Sequence, residues 1–440
     1  MMTRRILIGL VIGHILLALA YAGAIPYRTG GKLLNQPGTH LDIGAPDERQ
    51  HANYVQHILD GNGIPVFKPK DPNLYESYQA HQPPLYYVLA STYARVLGVS
   101  DVADPSAGLR LRSFSAILGG LAVWGLFCLG YWGFKSERIG LLTAMIGGFM
   151  PMMVGLSAAV GNDPMLIAVC TWTLAFLAKA LREGWCFGKS VPIALLVAVG
   201  IYTKTSALSL FIPVGLALYL GRKEVSESKT IWPHALLVLI GPLVLALPWM
   251  LRNNGLYGDP FAIKAFGEAF TGTMQAETLA NRAGGWIPYW TAVTEGTVYS
   301  FYGVFSYWDI FFDFRLYRIL MAATLILGLG WTLSFRGDKE TRGSGLVQIV
   351  NAAFFATVLA LFIRFNMQYF QAQARYLYPA IGPIACGLAV GAAQFGYKNR
   401  RLTLLVALGF MVLLNGYVLM ILPDEFAARV ARETTAAPAP

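Results

Sequence analysis

The hydrophobic positions of this chain form long unbroken runs rather than short alternating patterns. A helix needs about 20 apolar residues to cross the hydrocarbon core of a membrane. By this length criterion the runs predict about eleven transmembrane helices, near Ile6–Ala24, Leu109–Phe134, Ile139–Val160, Pro164–Leu181, Val191–Tyr202, Ser206–Leu220, Ile231–Leu251, Tyr317–Phe335, Leu346–Ile363, Tyr376–Phe395 and Leu402–Leu422. The fifth and sixth runs are short and also fit one broken hairpin. The pattern predicts an all-α polytopic membrane protein, with residues 1–440 as a single integral-membrane domain.

Composition excludes the soluble alternatives. Hydrophobic residues make up 55% of the chain and charged residues only 13%, about half the share of roughly 25% that is usual in soluble proteins. The low charge and the many aromatic residues also exclude a disordered scaffold. The net charge is +10. On so apolar a chain, basic residues more often orient membrane helices than bind nucleic acid. We therefore expect a lipid bilayer as partner and no nucleic acid.

The distribution of Lys and Arg predicts the orientation. The N-terminal segment, with Arg4 and Arg5, and every second connection after it carry basic residues, and all of these connections are short. Short connections rich in Lys and Arg stay cytoplasmic. We therefore expect a multi-pass protein of the cell inner (cytoplasmic) membrane with a cytoplasmic N-terminus and an extracytoplasmic C-terminus. The first run exceeds the roughly 7–15 residues of a signal-peptide core, so we expect it to remain as an uncleaved helix.

Two outer connections are long and carry the candidate function. They cover residues 25–108 and 252–318, whereas loops beyond about 12–15 residues are uncommon and usually functional. The first contains two apolar-faced helices that are too short to span, one beginning at Pro46 and one at Pro84, which we expect at the membrane interface. The second is rich in aromatic residues, which would stack on sugar rings or anchor the loop at the interface, and anchoring is favoured for at least half of them.

Acidic residues near the start of the first outer loop are the candidate catalytic groups. Asp47 and Glu48 open the first of these helices, and His51 follows Asp47 by one turn on the same face. A carboxylate at the membrane surface suits a general base. An acidic first turn that stabilises the helix dipole is the alternative. A further acid, Asp163, begins the fourth apolar run and is interpreted as the N-cap of that helix.

Histidines of the same loop raise the question of a metal. His40, His51, His57 and His81 lie near the acidic pair, and imidazole with carboxylate suits several divalent ions. No recognised ligand spacing is present. Histidines that serve as hydrogen-bonding residues are therefore favoured over metal ligands, with His51 and His81 as candidate substrate-binding residues, and we expect no metal and no cofactor.

Several segments resemble the GT-C superfamily of integral-membrane glycosyltransferases, in particular bacterial relatives of protein O-mannosyltransferases and the aminoarabinose transferases. The resemblance covers most of the chain in the order of its motifs, which are Pro46–Glu48, His81–Tyr87, Asn162–Pro164, Thr203–Ala207, Pro248–Asn253, Tyr257–Pro260 and Gln373–Pro379. In the second motif Gln82 separates His81 from the Pro-Pro pair, which departs from the family pattern.

The resemblance implies a GT-C-like fold and a transferase that takes sugar from a polyprenyl-phosphate donor. The acceptor would be a lipid, glycan or protein on the outer side. Asp47 corresponds to the catalytic aspartate of such enzymes, with Glu48 supporting the site or orienting the acceptor, and one in-line displacement would invert the anomeric carbon. A lipid-linked sugar transporter or flippase, or an inactive protein that only binds lipid-linked sugar, is the alternative.

Basic residues at the outer ends of the apolar runs are the candidate phosphate ligands. Lys204, Arg252 and Arg375 lie at this boundary, where fixed cations would stabilise the departing lipid phosphate. Arg375 is favoured because a planar guanidinium suits phosphate and Tyr376 adds a hydrogen-bonding group beside it. Anchoring at a helix end is the rival role, and it is favoured for Arg252, which follows Trp249.

Overall fold

The computed structural model describes residues 2–28, 43–223, 230–271, 275–336, 345–396 and 398–435. The described chain is mostly helical. Its α-helices, numbered in chain order, are α1 Met2–Ala24, α2 Glu48–Leu59, α3 Leu74–Ser77, α4 Leu85–Val96, α5 Ala107–Phe134, α6 Glu137–Gly148, α7 Pro151–Ser157, α8 Asp163–Glu183, α9 Phe187–Thr203, α10 Phe211–Leu220, α11 Trp232–Ala235, α12 Gly241–Tyr257, α13 Ile263–Ala269, α14 Ala276–Arg282, α15 Trp286–Tyr302, α16 Phe314–Ser334, α17 Gly345–Asn366, α18 Ile381–Phe395 and α19 Arg400–Thr435.

Other helical turns and one hairpin complete the described elements. Three 3₁₀-helices cover Tyr78–His81, Thr205–Leu210 and Ala374–Ala380, and a π-helical turn covers Leu236–Ile240. Strands β1 (Val304–Phe305) and β2 (Ile310–Phe311) form an antiparallel pair.

Eight helices in the described ranges are long and apolar enough to cross a membrane, and a ninth crossing results if α6 and α7 form one span. These two helices meet at a 68° bend, because Met150 is extended before Pro151, as residues that precede proline usually are. The fifth and sixth predicted runs correspond to the shorter apolar helices Phe187–Thr203 and Thr205–Leu220. Each of the eleven predicted runs is thus helical over most of its length, but only eight or nine spans in the described ranges meet the length and hydropathy criteria, so the count of eleven is not confirmed.

The core of the bundle is built around α5, which packs along α1, α6 and α8, while α18 packs against α6 and α16. Helices in a membrane approach closely where small residues face a neighbouring backbone. Gly391 of α18 is such a residue, since a Cβ there would lie 1.8 Å from the Leu327 carbonyl oxygen of α16.

Opposite ends of the bundle carry different contacts. At one end the Thr3 hydroxyl donates to the Glu137 carboxylate at 2.5 Å, and Arg138 donates to the Gly396 carbonyl at 2.8 Å. The start of α1, the α5–α6 turn and the α18–α19 turn therefore share one end. The first long loop and the candidate site residues lie at the other end.

The first long loop packs into a small core that it shares with α5 and the start of α8. The two helices predicted there are α2 and α4, and Ala52 and Val55 of α2 are fully buried with Tyr86 and Tyr87 of α4. The apolar stripe of α2 was expected on the membrane surface. The stripe instead packs into this core, with Ile58 and Leu59 as its partly buried members, because the aromatic residues of α4 offer a closer apolar partner.

Candidate active site

Asp47 is held by three different segments of the chain. It is the N-cap residue of α2 in the left-handed region (φ 65°), yet its side chain makes no capping hydrogen bond. One carboxylate oxygen lies 2.5 Å from Nη2 of Arg375, and the other accepts a hydrogen bond from the Tyr78 hydroxyl. Its backbone N–H donates to the Tyr307 hydroxyl at 3.1 Å. The carboxylate is thus turned away from its own helix and toward Arg375.

The ion pair of Asp47 and Arg375, called the open pair below, is partly exposed, with side-chain exposures of 20% and 15%. Burial acts to raise the pKa of Asp47, but the Arg375 charge and the Tyr78 hydroxyl outweigh it and hold that pKa below its ordinary value. Burial and the adjacent carboxylate raise the pKa of Tyr78 well above its usual range. Asp47 is therefore a stable carboxylate in this state and Tyr78 remains a neutral donor.

Glu48, the next residue, is enclosed. It pairs in a two-pronged arrangement with Arg112 of α5, at 2.8 Å from Nε and 2.5 Å from Nη2, and each side chain is 1% exposed. The Val160 N–H also donates to it at 2.9 Å. Arg112 donates further to the carbonyls of Ala22, Ile25 and Pro26. This sealed pair joins α1, α2, α5 and the turn before α8, and it leaves Glu48 no open face for the direct catalytic role expected of it.

Asp163 and Lys204 form a second ion pair of the site, with Oδ1 and Nζ 2.5 Å apart. Asp163 was predicted to be an N-cap, but Asn162 occupies that position and Asp163 is the first residue of α8. Lys204 sits in the extended break between α9 and the following 3₁₀-helix. Its ammonium is thereby placed beside α8 rather than in the membrane, which makes Asp163 a site residue that the capping interpretation missed.

A cavity of about 70 Å³, open at one side to solvent, lies against these pairs. Its charged and imidazole lining is His51, Asp163 and Arg375, and its aromatic wall includes Phe305 and Trp308. Among the residues that the structure describes, Nε of Arg375 finds no hydrogen-bond partner. The cavity thus brings one acid, one imidazole and a guanidinium with an unused N–H to the same space.

Of the two histidines proposed as substrate ligands, His51 is buried and His81 is partly buried, and both are neutral. His51 contacts the Tyr87 hydroxyl through Nδ1 at 2.8 Å, and His81 donates from Nδ1 to the Tyr78 carbonyl at 2.5 Å. Burial lowers the pKa of each imidazole to about 4. His51 lines the cavity, whereas His81 packs between Phe67 and Phe266 and is absent from the cavity lining.

No group of three or more His, Cys, Asp or Glu side chains able to hold a metal occurs in the described ranges. His40, one of the four histidines considered for a metal, lies outside those ranges.

Arg252 and Tyr376 occupy different surroundings. The guanidinium of Arg252 donates to the Ile64 and Pro65 carbonyls and covers the Trp249 ring at 5.1 Å, so it fixes the first loop to α12. The Tyr376 hydroxyl accepts from Nη2 of Arg375 at 3.2 Å. Of the predicted site residues, His51 and Arg375 therefore line the cavity together with Asp163. Asp47 and Tyr376 contact Arg375, and Lys204 contacts Asp163, while Arg252 serves the loop.

Comparisons with known proteins bear on this arrangement. Residues 81–251 match the family model described as dolichyl-phosphate-mannose-protein mannosyltransferase. ArnT from Cupriavidus metallidurans, solved bound to undecaprenyl phosphate, is similar with a TM-score of 0.55 and 14% identity, over 88% of this chain and 60% of that one. The Archaeoglobus fulgidus oligosaccharyltransferase AglB, solved with an inhibitory peptide and a dolichol-phosphate, is similar with a TM-score of 0.55 and 13% identity, over 96% of this chain and 55% of that one.

The described chain has the GT-C fold. The fold expected from the resemblance to the GT-C superfamily is confirmed by these structures, and the family match covers residues 81–251, less than half of the chain. The chain spans 55–60% of the length of these two GT-C structures. No curated protein matches it in sequence. The family match includes His81, Asp163 and Lys204 but ends before Arg375 and begins after Asp47.

Three polar residues of this GT-C site had no sequence signal that singled them out. Tyr78 and Tyr307 reach Asp47 through their hydroxyls from two separate loops, and tyrosine is common in both. Arg112 lies one turn inside an apolar run. An arginine inside a membrane helix needs a charged or carbonyl partner. That requirement is the one indication in the sequence of its pairing with Glu48.

Proposed function

We propose that this protein is a glycosyltransferase that moves a sugar from a polyprenyl-phosphate donor to an acceptor hydroxyl or amine on the outer side of the membrane. The observation that carries the proposal is the open pair beside the cavity, because it sets a carboxylate and a guanidinium against one another at the place where a lipid phosphate and an acceptor would meet. The sugar and the acceptor follow from the resemblance only in class.

The first step concerns Arg375. A guanidinium has five N–H donors in a planar fork, and Nε of Arg375 is unused among the described residues while Nη2 serves Asp47 and Tyr376. A donor phosphate offers several acceptor oxygens for a two-pronged contact with such a fork. Phosphate binding then draws Arg375 from Asp47, and the carboxylate loses the cation that keeps its pKa low.

The second step concerns Asp47. Once released from Arg375 it becomes a stronger base, and it accepts the proton of the acceptor hydroxyl or amine as the acceptor attacks the anomeric carbon. The bond between that carbon and the phosphate oxygen breaks, and the polyprenyl phosphate leaves as a monoester with one more negative charge. Arg375 neutralises this charge, with Lys204 as a second cation that Asp163 holds in place. A single displacement inverts the anomeric carbon.

Glu48 is proposed to position the base rather than to touch substrate. Its two oxygens are already occupied by Arg112 and the Val160 N–H, so it fixes the start of α2 from which Asp47 projects.

Buried amide atoms near the site support a polar ligand. Both polar atoms of the Gln50 side chain, Oε1 of Gln79 and Oδ1 of Asn162 are buried without a partner in the described chain. Leaving such an atom unpaired costs about 1–3 kcal/mol. These residues flank Asp47, Tyr78 and Asp163 in sequence, so sugar hydroxyls or water at the site would offset that cost.

The proposed topology has eleven crossings, with the N-terminus cytoplasmic and the C-terminus outside in the inner membrane. Residues 25–108 and 252–318 then form the outer loops. In support, the candidate site and the contacts of Thr3 and Arg138 lie at opposite ends of the bundle. In intact cells, an impermeant thiol reagent should label Asn62→Cys and not Lys135→Cys; the reverse pattern would invert the orientation.

Reconstitution tests the function. Purified protein in liposomes is given a radiolabelled polyprenyl-phosphate sugar with a membrane extract as the source of acceptor. Transfer of label from lipid to acceptor, lost in Arg375→Gln, supports a transferase. Movement of the intact lipid between leaflets without transfer would instead identify a flippase, and binding alone would identify an inactive lipid-sugar binder.

A further inference from the structure

The hairpin of β1 and β2, Val304–Phe311, covers one side of the cavity. Phe305, Ser306 and Trp308 of the hairpin line it. Ser306 and Trp308 have φ values of 58° and 69°, and a left-handed conformation costs a non-glycine residue about 1–2 kcal/mol. Strands of two residues cannot hold this shape alone, because even a longer isolated hairpin is only marginally stable. Other parts of the chain must therefore fix the hairpin.

The hairpin in turn supports the backbone of Asp47. Tyr307, at its tip, accepts the Asp47 N–H through its hydroxyl. Asp47 also has a positive φ and no capping bond from its own side chain. The Tyr307 contact is thus one of the few that hold the main chain at the residue proposed as the base.

The last helix braces the hairpin from its other side. Nη1 of Arg429 in α19 lies 3.0 Å from Oδ1 of Asp309, and the two side chains are 13% and 24% exposed. The Ser306 hydroxyl donates to the same carboxylate at 3.4 Å. Tyr417 of α19 accepts the Asp313 N–H at 3.2 Å. Burial raises the pKa of Asp309, and Arg429 opposes that shift.

We propose that Arg429 is a positioning residue for the transfer reaction: its ion pair with Asp309 fixes the hairpin, and the hairpin fixes the Asp47 backbone and the aromatic wall of the cavity. The connected contacts run from Arg429 to Asp309, through the tip to Tyr307, and on to Asp47. The inference rests on the proposed function for its kinetic test, while its structural test is independent of activity.

The kinetic test compares Arg429→Gln with wild type. A displaced base costs up to about 10²-fold in rate, so kcat should fall about tenfold to a hundredfold, while KM for the donor stays within about twofold because Arg375 is unaltered. Arg429→Lys, which keeps the charge, should recover most of the rate. Arg401→Gln is the control, since Arg401 is exposed at the opposite end of α19, and it should stay near wild type.

A double-mutant cycle separates positioning from general loss of structure. Tyr307→Phe removes the acceptor of the Asp47 N–H and leaves the Arg429 pair intact. If both residues act through one contact path, the double variant should be no slower than Arg429→Gln alone. Additive losses, or a normal kcat in Arg429→Gln, would overturn the proposal. Exchange of the charges in Asp309→Arg/Arg429→Asp should restore part of the rate that either single change removes.

Hydrogen exchange gives a readout that needs no substrate. In Arg429→Gln the amides of residues 304–311 and 45–50 should exchange faster than in wild type, whereas those of α8 should not change. Unchanged exchange at residues 45–50 would contradict the coupling even if the protein proves to have no transferase activity. Absent wild-type activity with the expected exchange would instead refute the proposed function alone.

Discussion

Asp47 and Glu48 are adjacent in the chain and each pairs with an arginine, yet the two pairs lie in different surroundings. Glu48 and Arg112 are 1% exposed, and four hydrogen bonds to main-chain groups surround their contact. Asp47 and Arg375 are 20% and 15% exposed, and Nε of Arg375 has no partner among the described residues. A pair with every group satisfied holds structure together, whereas a pair with unused donors beside a cavity can exchange partners. The comparison predicts that the sealed pair of Glu48 and Arg112 contributes to stability and that the open pair of Asp47 and Arg375 contributes to catalysis.

The largest effect is expected at the open pair. Asp47→Asn keeps the size of the side chain and one acceptor oxygen but removes the base, so turnover should fall about 10²–10⁴-fold, a far larger effect than any change in unfolding temperature. Donor binding should be retained because Arg375 remains. Turnover close to wild type would exclude Asp47 as the base.

The sealed pair should respond in stability. Glu48→Gln leaves the buried Arg112 charge uncompensated, which costs about 3–5 kcal/mol when a buried pair is broken. Denaturant unfolding in detergent measures this loss. The matched control is Arg49→Gln, whose partly exposed pair with Glu76 should contribute less than about 1 kcal/mol. Equal losses in the two variants would remove the distinction between the pairs.

A pH profile sharpens the distinction further. Arg375 lowers the pKa of free Asp47, so the carboxylate protonates at a lower pH than an ordinary Asp. Phosphate binding should withdraw Arg375, so the acid limb of kcat should lie about one pH unit or more above that of kcat/KM. His51 and His81, with pKa values of about 4, should add no limb near neutral pH. Coincident limbs would show that the pair does not open.

The smallest effect is expected at Arg252, which serves as an outer-end control for Arg375. Arg252→Gln removes hydrogen bonds to two loop carbonyls, and the loss of unfolding free energy should be about 1 kcal/mol. KM for the donor should stay within about twofold, whereas Arg375→Gln should raise it markedly. A rise in KM for Arg252→Gln equal to that for Arg375→Gln would place Arg252 in the phosphate site.

The sequence predicted the helices well because apolar run length is a local property. It also singled out Arg375, because charge at the end of an apolar run is conspicuous, and Asp47, because it opens an apolar-faced helix in the long first loop and corresponds to the aspartate that the resemblance implies. Pairing was harder to foresee. Asp163 and Lys204 are 41 residues apart, and local spacing alone favoured a helix cap for Asp163.

The different roles of the two neighbouring acids could not be predicted from the sequence either. Asp47 and Glu48 share a helix turn, and only the tertiary position of Arg112 encloses one of them. Tyr78 and Tyr307 contribute one hydroxyl each from separate loops, and no periodicity marks such contacts.

A structure with bound polyprenyl phosphate tests the central claim most directly. The phosphate should lie within hydrogen-bond distance of the Arg375 guanidinium, with the Asp47 carboxylate separated from it and open to the cavity. A lipid phosphate bound elsewhere, with the 2.5 Å contact between Asp47 and Arg375 intact, would contradict the proposed exchange of partners.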